Sequence, residues 1–139
     1  MRILTNVSSA PSPAYAQNAA RATAKIMTAF EEVVRKDRPD LVLVVGDVNS
    51  TLACSVVAAK ELVPVAHVEA GLRSFDRTMP EEINRIVTDA LSTFLFTTSP
   101  EAEVNLRREG VAPEKIHFVG NVMIDSLERC LAKAEASPI

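Results

Sequence analysis

The seven residues Leu41-Val42-Leu43-Val44-Val45-Gly46-Asp47 constrain the fold more than any others in the chain. Five aliphatic residues in a row leave a strand with no polar face. That pattern fits a central strand of a parallel sheet, covered by helices on both sides. Gly46 and Asp47 close the run, so a carboxylate emerges at the strand's carboxyl end. In open parallel sheets this is the edge at which ligands bind.

The remaining segments alternate around this strand. Met1 to Val7 holds a short apolar run that could form a first strand, followed by a Ser/Pro loop over 8–13. From Ala14 to Lys36 an alanine-rich run places Ala22, Ile26, Phe30, Val33 and Val34 on one helical face. It should end before Pro39, because a proline drives the preceding residue, Arg38, out of the α region. Asn49, Ser50 or Thr51 is expected to cap a helix reaching about Glu61, and Pro64 to Val68 reads as a strand. A helix over Pro80 to about Ser92 carries Ile83, Ile86, Val87, Ala90 and Leu91 at helical spacing, read as its buried face. Phe94 to Thr97 reads as a strand. Ser99-Pro100 opens a helix that Gly110 stops. Ile116 to Val119 reads as a strand, and a last helix aligns Ile124, Leu127 and Leu131. Such alternation predicts an α/β fold: a Rossmann-like parallel sheet with right-handed crossovers, flanked by helices, as one domain over residues 1–139.

Composition narrows the function classes. With 47% hydrophobic residues in 139, the chain can bury one core. Fifteen basic against 18 acidic residues give a net charge of −3, which leaves no nucleic-acid footprint. Two cysteines without a CxxC spacing and two histidines argue against zinc, and Cys54 and Cys130 read as buried free thiols of a reducing cytosol. No stretch suits a membrane span, and the first residues turn polar too soon for a signal peptide. The expectation is a soluble, cytoplasmic protein with no membrane partner.

Chemistry gathers between His67 and Arg85, HVEAGLRSFDRTMPEEINR. If the strands ending at Asp47 and Glu69 are neighbours, about 4.8 Å apart, their carboxylates share one crevice. Like charges that close push one pKa upward, as acid–base chemistry near neutrality requires. His67, two residues before Glu69, is expected on the same strand face. Glu81 is ambiguous: Thr78 to Glu81 fits a capping box and Glu81 with Arg85 an i,i+4 ion pair, or both residues face the crevice. Arg73, after Gly71, suits a phosphate, although a solvated loop cation fits as well. Asp76 and Arg77 read as solvated charges. No glycine-rich phosphate loop and no Gly-x-Ser-x-Gly elbow is present.

The residues alone leave several readings open. One is acid–base catalysis on an anionic substrate by Asp47, Glu69 and Glu81. Another is a metal-dependent phosphoesterase using Asp47, His67 and Glu69. The last is a non-enzymatic, ligand-sensing α/β domain that uses the same crevice.

Four motifs in order, Gly46-Asp47-Val-Asn-Ser-Thr51, His67-Val-Glu69-Ala-Gly71-Leu-Arg73, Pro80-Glu81-Glu82-Ile-Asn84-Arg85 and Gly120-Asn121-Val-Met-Ile-Asp125, resemble those of the non-hydrolysing UDP-N-acetylglucosamine 2-epimerases. The resemblance covers 40–127. It implies one half of a GT-B-type fold, with a UDP-sugar bound between two Rossmann-like domains. It implies interconversion of UDP-GlcNAc and UDP-ManNAc through a 2-acetamidoglucal, by elimination and re-addition of UDP. The family's catalytic carboxylates fall on Asp47, Glu69 and Glu81. A substrate-contacting arginine of the family falls on Arg85; Arg73, His67 and Asn121 are also expected to contact substrate. Neither a metal nor a nicotinamide cofactor is implied. The family's opening strand with Gly-Thr-Arg-Pro-Glu is not found here, nor is a second, carboxy-terminal domain. The chain therefore resembles a fragment of the amino-terminal domain, expected to be inactive alone and to leave a sheet edge or an apolar patch uncovered. The full-length parent is expected to be a homodimer.

Overall fold

The Leu41–Val45 run forms a strand at the position its aliphatic residues demand, but only one of its faces is buried. The structure is a computed structural model that describes residues 2–5 and 15–135; the Ser/Pro stretch 8–13 lies outside the described residues. In chain order the elements are β1 (Ile3–Thr5), α1 (Tyr15–Asp37), β2 (Leu41–Val45), α2 (Asn49–Lys60), β3 (Val65–Ala70), α3 (Pro80–Leu91), β4 (Phe94–Thr97), α4 (Pro100–Arg108), a 3₁₀ turn (Pro113–Lys115), β5 (Ile116–Phe118) and α5 (Val122–Glu135). All strand pairs are parallel, in the order β1-β2-β3-β4-β5. The doubtful first strand is therefore real over Ile3–Thr5.

Strand order explains the one-sided burial. When each strand is laid beside the last in the same direction, right-handed crossovers put every connecting helix on the same face. The packing agrees. Val42 and Val44 meet Cys54 and Ala58 of α2 and Ile26 and Phe30 of α1, while Leu95 and Ala70 meet Leu106 of α4. His67 pairs with Val44 and Leu95 in register and points at Asp89 of α3, so α3 lies on that face too.

The opposite face stays open among the described residues. Leu41 and Leu43 are half-buried, while Val45 and Phe94 are exposed, Phe94 to 40%. Phe94 and Phe96 lie against the exposed His117 ring, with centroids 6.2 and 5.6 Å apart. The double coverage expected for Leu41–Val45 is thus corrected; the apolar face is open, but through strand order and not through loss of a first strand, since β1 is present. On α5 the apolar stripe of Ile124, Leu127 and Leu131 is exposed as well.

Local chemistry departs from expectation at two points and meets it at a third. No side chain caps α2: Val48 takes the N-cap position, and Asn49 already lies in the helix. Ser99 does cap α4, accepting from Ala102 N. Cys54 is buried and its thiol pushed up to about 11 by desolvation, but Cys130 is exposed on α5, so only one thiol is buried.

An open face of this kind makes the isolated chain adhesive. Sedimentation should show a mean mass that rises with concentration. Phe94→Lys, at the start of β4 on this face, should return it towards monomer without unfolding it. A chain that stays monomeric at all concentrations and binds no apolar dye would contradict this.

Candidate active site

β3 ends in a distortion that aims Glu69. Val68 pairs with Phe96 and Ala70 with Thr97, so Glu69 is an extra residue in the ladder. Its φ of +72° lies in the left-handed region, which a non-glycine residue occupies at a cost of about 1–3 kcal/mol. A bulge re-aims a side chain, and bulges of this kind gather beside active sites. Here His67 turns inward and is fully buried, while Glu69 lies partly exposed over Gly46. One Glu69 carboxylate oxygen stands 3.5 Å from where a Cβ at Gly46 would be. The shared strand face expected for His67 and Glu69 is therefore broken, because the extra residue resets the alternation.

Asp47 follows on the neighbouring strand. Gly46, with φ +69°, donates its N–H to Val68 O at 3.0 Å and turns the chain out of the sheet. Asp47 then meets Arg85, with Oδ2 2.6 Å from the guanidinium. The backbone carbonyl of Asp47 accepts from Asn84 Nδ2 at 2.8 Å, and that amide also donates to Asn49 Oδ1 at 3.2 Å. Both carboxylates thus stand at the carboxyl ends of β2 and β3, as the motif positions require.

Arg85 is shared with Glu82, whose carboxylate lies 2.9 Å from it and is almost wholly buried. Glu82 also accepts the backbone N–H groups of Ser74 and Phe75 at 2.9 and 3.0 Å. Burial pushes its pKa up, but these two N–H groups and Arg85 outweigh burial and hold it below the usual carboxylate range. Glu82 therefore ties the loop over 71–79 to α3. The capping box expected from Thr78 to Glu81 does not form: Met79 is the N-cap, and the Thr78 hydroxyl donates to Asp76 at 2.6 Å. Nor does Glu81 pair with Arg85, which turns instead to Asp47 and Glu82. Glu81 is half-buried at the start of α3, beside Pro80 at N1.

Beneath the crevice lies a chain of charges. His67 Nδ1 is 2.6 Å from Asp89 Oδ1, and Nε2 is 2.9 Å from the Gly46 carbonyl oxygen. Asp89 Oδ2 accepts the Gly71 N–H at 3.0 Å and pairs with Arg73 at 2.7 Å, and Arg73 reaches Glu109 at 2.6 Å. The Arg73 side chain is 1% exposed. Although desolvation opposes it, the hydrogen bonds and charges of Glu109 and Asp89 raise its pKa still further. Arg73 and His67 were expected to touch ligand; both are spent inside the protein, because a buried carboxylate claims them. A metal-binding role for His67 loses both its ring nitrogens in the same way. Asn121 caps α5, its Oδ1 accepting Met123 N at 2.9 Å, at the same rim but two strands from β3. Asp76 and Arg77 are exposed, as expected.

Glu82, Asn84 and Asp89 were missed by sequence reasoning, which took the apolar side of α3 as its buried face. The buried residues are Glu82, Asn84, Thr88 and Asp89, while Ile83 is 47% exposed. The available signal was the polar spacing of Glu82, Arg85 and Asp89 at i, i+3 and i+7.

Together these features define a Rossmann-like α/β domain that presents carboxylates and an arginine at the carboxyl rim of its sheet. The family described as UDP-N-acetylglucosamine 2-epimerase matches residues 5–139, and the chain belongs to it. A UDP-N-acetylglucosamine 2-epimerase of Methanocaldococcus jannaschii is 50% identical over 113 residues, covering 81% of this chain and 31% of the relative. A UDP-2,3-diacetamido-2,3-dideoxy-D-glucuronate 2-epimerase of Pseudomonas aeruginosa is 49% identical over 119 residues, 84% of this chain and 33% of the relative. The crystal structure of the M. jannaschii epimerase in complex with UDP-GlcNAc and UDP superposes with a TM-score of 0.83 at 48% identity, over 86% of this chain and 33% of that one. The chain thus spans about a third of the length of its relatives.

Glu82→Gln should lower the urea midpoint by an amount equivalent to about 2–3 kcal/mol, since it leaves two N–H groups and Arg85 poorly matched. Because the folded-state pKa of Glu82 is depressed, its ionised form stabilises the fold fully above the unfolded value of about 4.3. That contribution is lost as pH falls through the lower, folded value. Acid titration should therefore cost the variant less than the parent; equal acid sensitivity and an unchanged midpoint would refute the assignment.

Proposed function

We propose that this chain supplies the amino-terminal wall of a UDP-N-acetylglucosamine 2-epimerase, interconverting UDP-GlcNAc and UDP-ManNAc. The observation that carries the reading is the Asp47–Arg85 ion pair with Glu69 beside Gly46 at the same rim, in a chain that matches the family over 5–139. The reaction needs a base to take the C2 proton while the C1–O bond breaks and its electron pair leaves with UDP. The resulting 2-acetamidoglucal then receives UDP back at C1 and a proton on the opposite face of C2. Acids and bases suffice, and Asp47, Glu69 and Glu81 are the proposed catalytic carboxylates. Arg85 and Asn121 are the proposed substrate contacts. Arg73 and His67 act from beneath the crevice rather than on the ligand.

The whole protein, on this reading, is a cytoplasmic homodimer whose second domain closes the crevice and whose product serves cell-envelope polysaccharide synthesis. The relative that acts on a diacetamido-glucuronate matches this domain almost equally well, so this domain's identity to its relatives does not separate the two sugars. A substrate comparison does.

In heavy water the full-length polypeptide should place deuterium at C2 of UDP-GlcNAc, and Asp47→Asn, Glu69→Gln and Glu81→Gln should each lower kcat by about 10²-fold or more. The 139-residue chain by itself should show no turnover. Exchange at C2 only with the diacetamido-glucuronate would move the substrate, and no exchange with either sugar would overturn the reading.

A further inference from the structure

His67 is fully buried in β3, and no step of the proposed reaction uses it. Its two ring nitrogens face oxygen acceptors: Nδ1 the Asp89 carboxylate and Nε2 the Gly46 carbonyl. The ring thus bridges α3 and the turn after β2.

Asp89 comes from α3 and is itself held by the Gly71 N–H and by Arg73 from the loop after β3, so the ring is anchored to a carboxylate that is fixed in place.

The other ring contact has a geometric consequence. Gly46 holds φ +69° and immediately precedes Asp47, so the hydrogen bond from His67 Nε2 clamps the turn from which Asp47 projects. We propose that His67 is a positioning residue that ties the Gly46 turn to Asp89 and so sets the Asp47 carboxylate against Arg85. Its effect on rate rests on the reading of Asp47 and Glu69 as the reacting carboxylates; its hold on the Gly46 turn does not.

The test separates the two. In this chain, without ligand, His67→Leu and Asp89→Asn should each speed amide exchange at Gly46 relative to the parent, and His67→Gln should do so less. Unchanged exchange at Gly46 in His67→Leu would overturn the proposal, whatever the fate of the epimerase reading. In the full-length polypeptide, His67→Leu should lower kcat by about 10²-fold, the cost of misplacing a reacting group, with KM for UDP-GlcNAc little changed. His67→Gln, whose amide can still donate to Gly46, should recover much of that loss. A rise in KM alone, or equal kcat losses in both variants, would count against positioning.

Discussion

The carboxylate of Asp89 gathers β3, the loop after it and α3 around one buried charge. One oxygen takes His67 from β3, and the other takes the Gly71 N–H and the Arg73 guanidinium from the loop that follows. Removing one partner from a buried charge pair costs about 3–5 kcal/mol, so the three contacts stand or fall together. Their joint effect is to bind the end of β3, the loop and α3 into one unit. From the other side, α4 presses on the same loop. Asn105 Nδ2 donates to Gly71 O at 3.0 Å, and a Cβ at Gly71 would lie 2.4 Å from Ala102 O. Only glycine fits there, because its φ of +80° and that near contact both forbid a side chain.

The site therefore has two storeys. Asp47, Glu69 and Glu81 stand partly exposed at the rim, while Glu82, Asn84, Asp89 and Arg73 lie beneath and consume the polar face of α3. A helix that buries acids and amides while leaving Ile83 exposed contradicts ordinary amphipathic logic. It is stable because each buried acid is matched by N–H donors or arginines. Such a lower layer keeps the upper carboxylates in place, and catalysis depends on that kind of preorganisation.

How much of this could be read from residue order depends on range. Leu41–Val45 and Phe94–Thr97 announced themselves as strands, and Ser99-Pro100 and Gly110 bounded α4, because those signals are local. Strand order is not local, and it decided that one face of β2 would stay bare. The bulge at Glu69 left no mark in the sequence either, since nothing in Val68-Glu69-Ala70 distinguishes it from regular strand. For the site, the motif residues Asp47 and Glu69 lie at the rim where the motifs put them. Arg73 and His67 went inward because Asp89, twenty-two residues beyond His67, competes for both. A loop cation's partner cannot be known until the helix opposite is placed.

The unbroken strand order carries a consequence for how the molecule comes into being. Among the described residues, the substantial contacts join each strand to its immediate neighbours and each helix to the one beside it or to the strands it connects. No strand needs a later segment to be inserted between itself and its predecessor. The domain can grow by accretion, each strand–helix pair docking onto finished structure as it leaves the ribosome, amino-terminal end first. Low separation between partners favours rapid folding in parallel sheets that are otherwise slow to form.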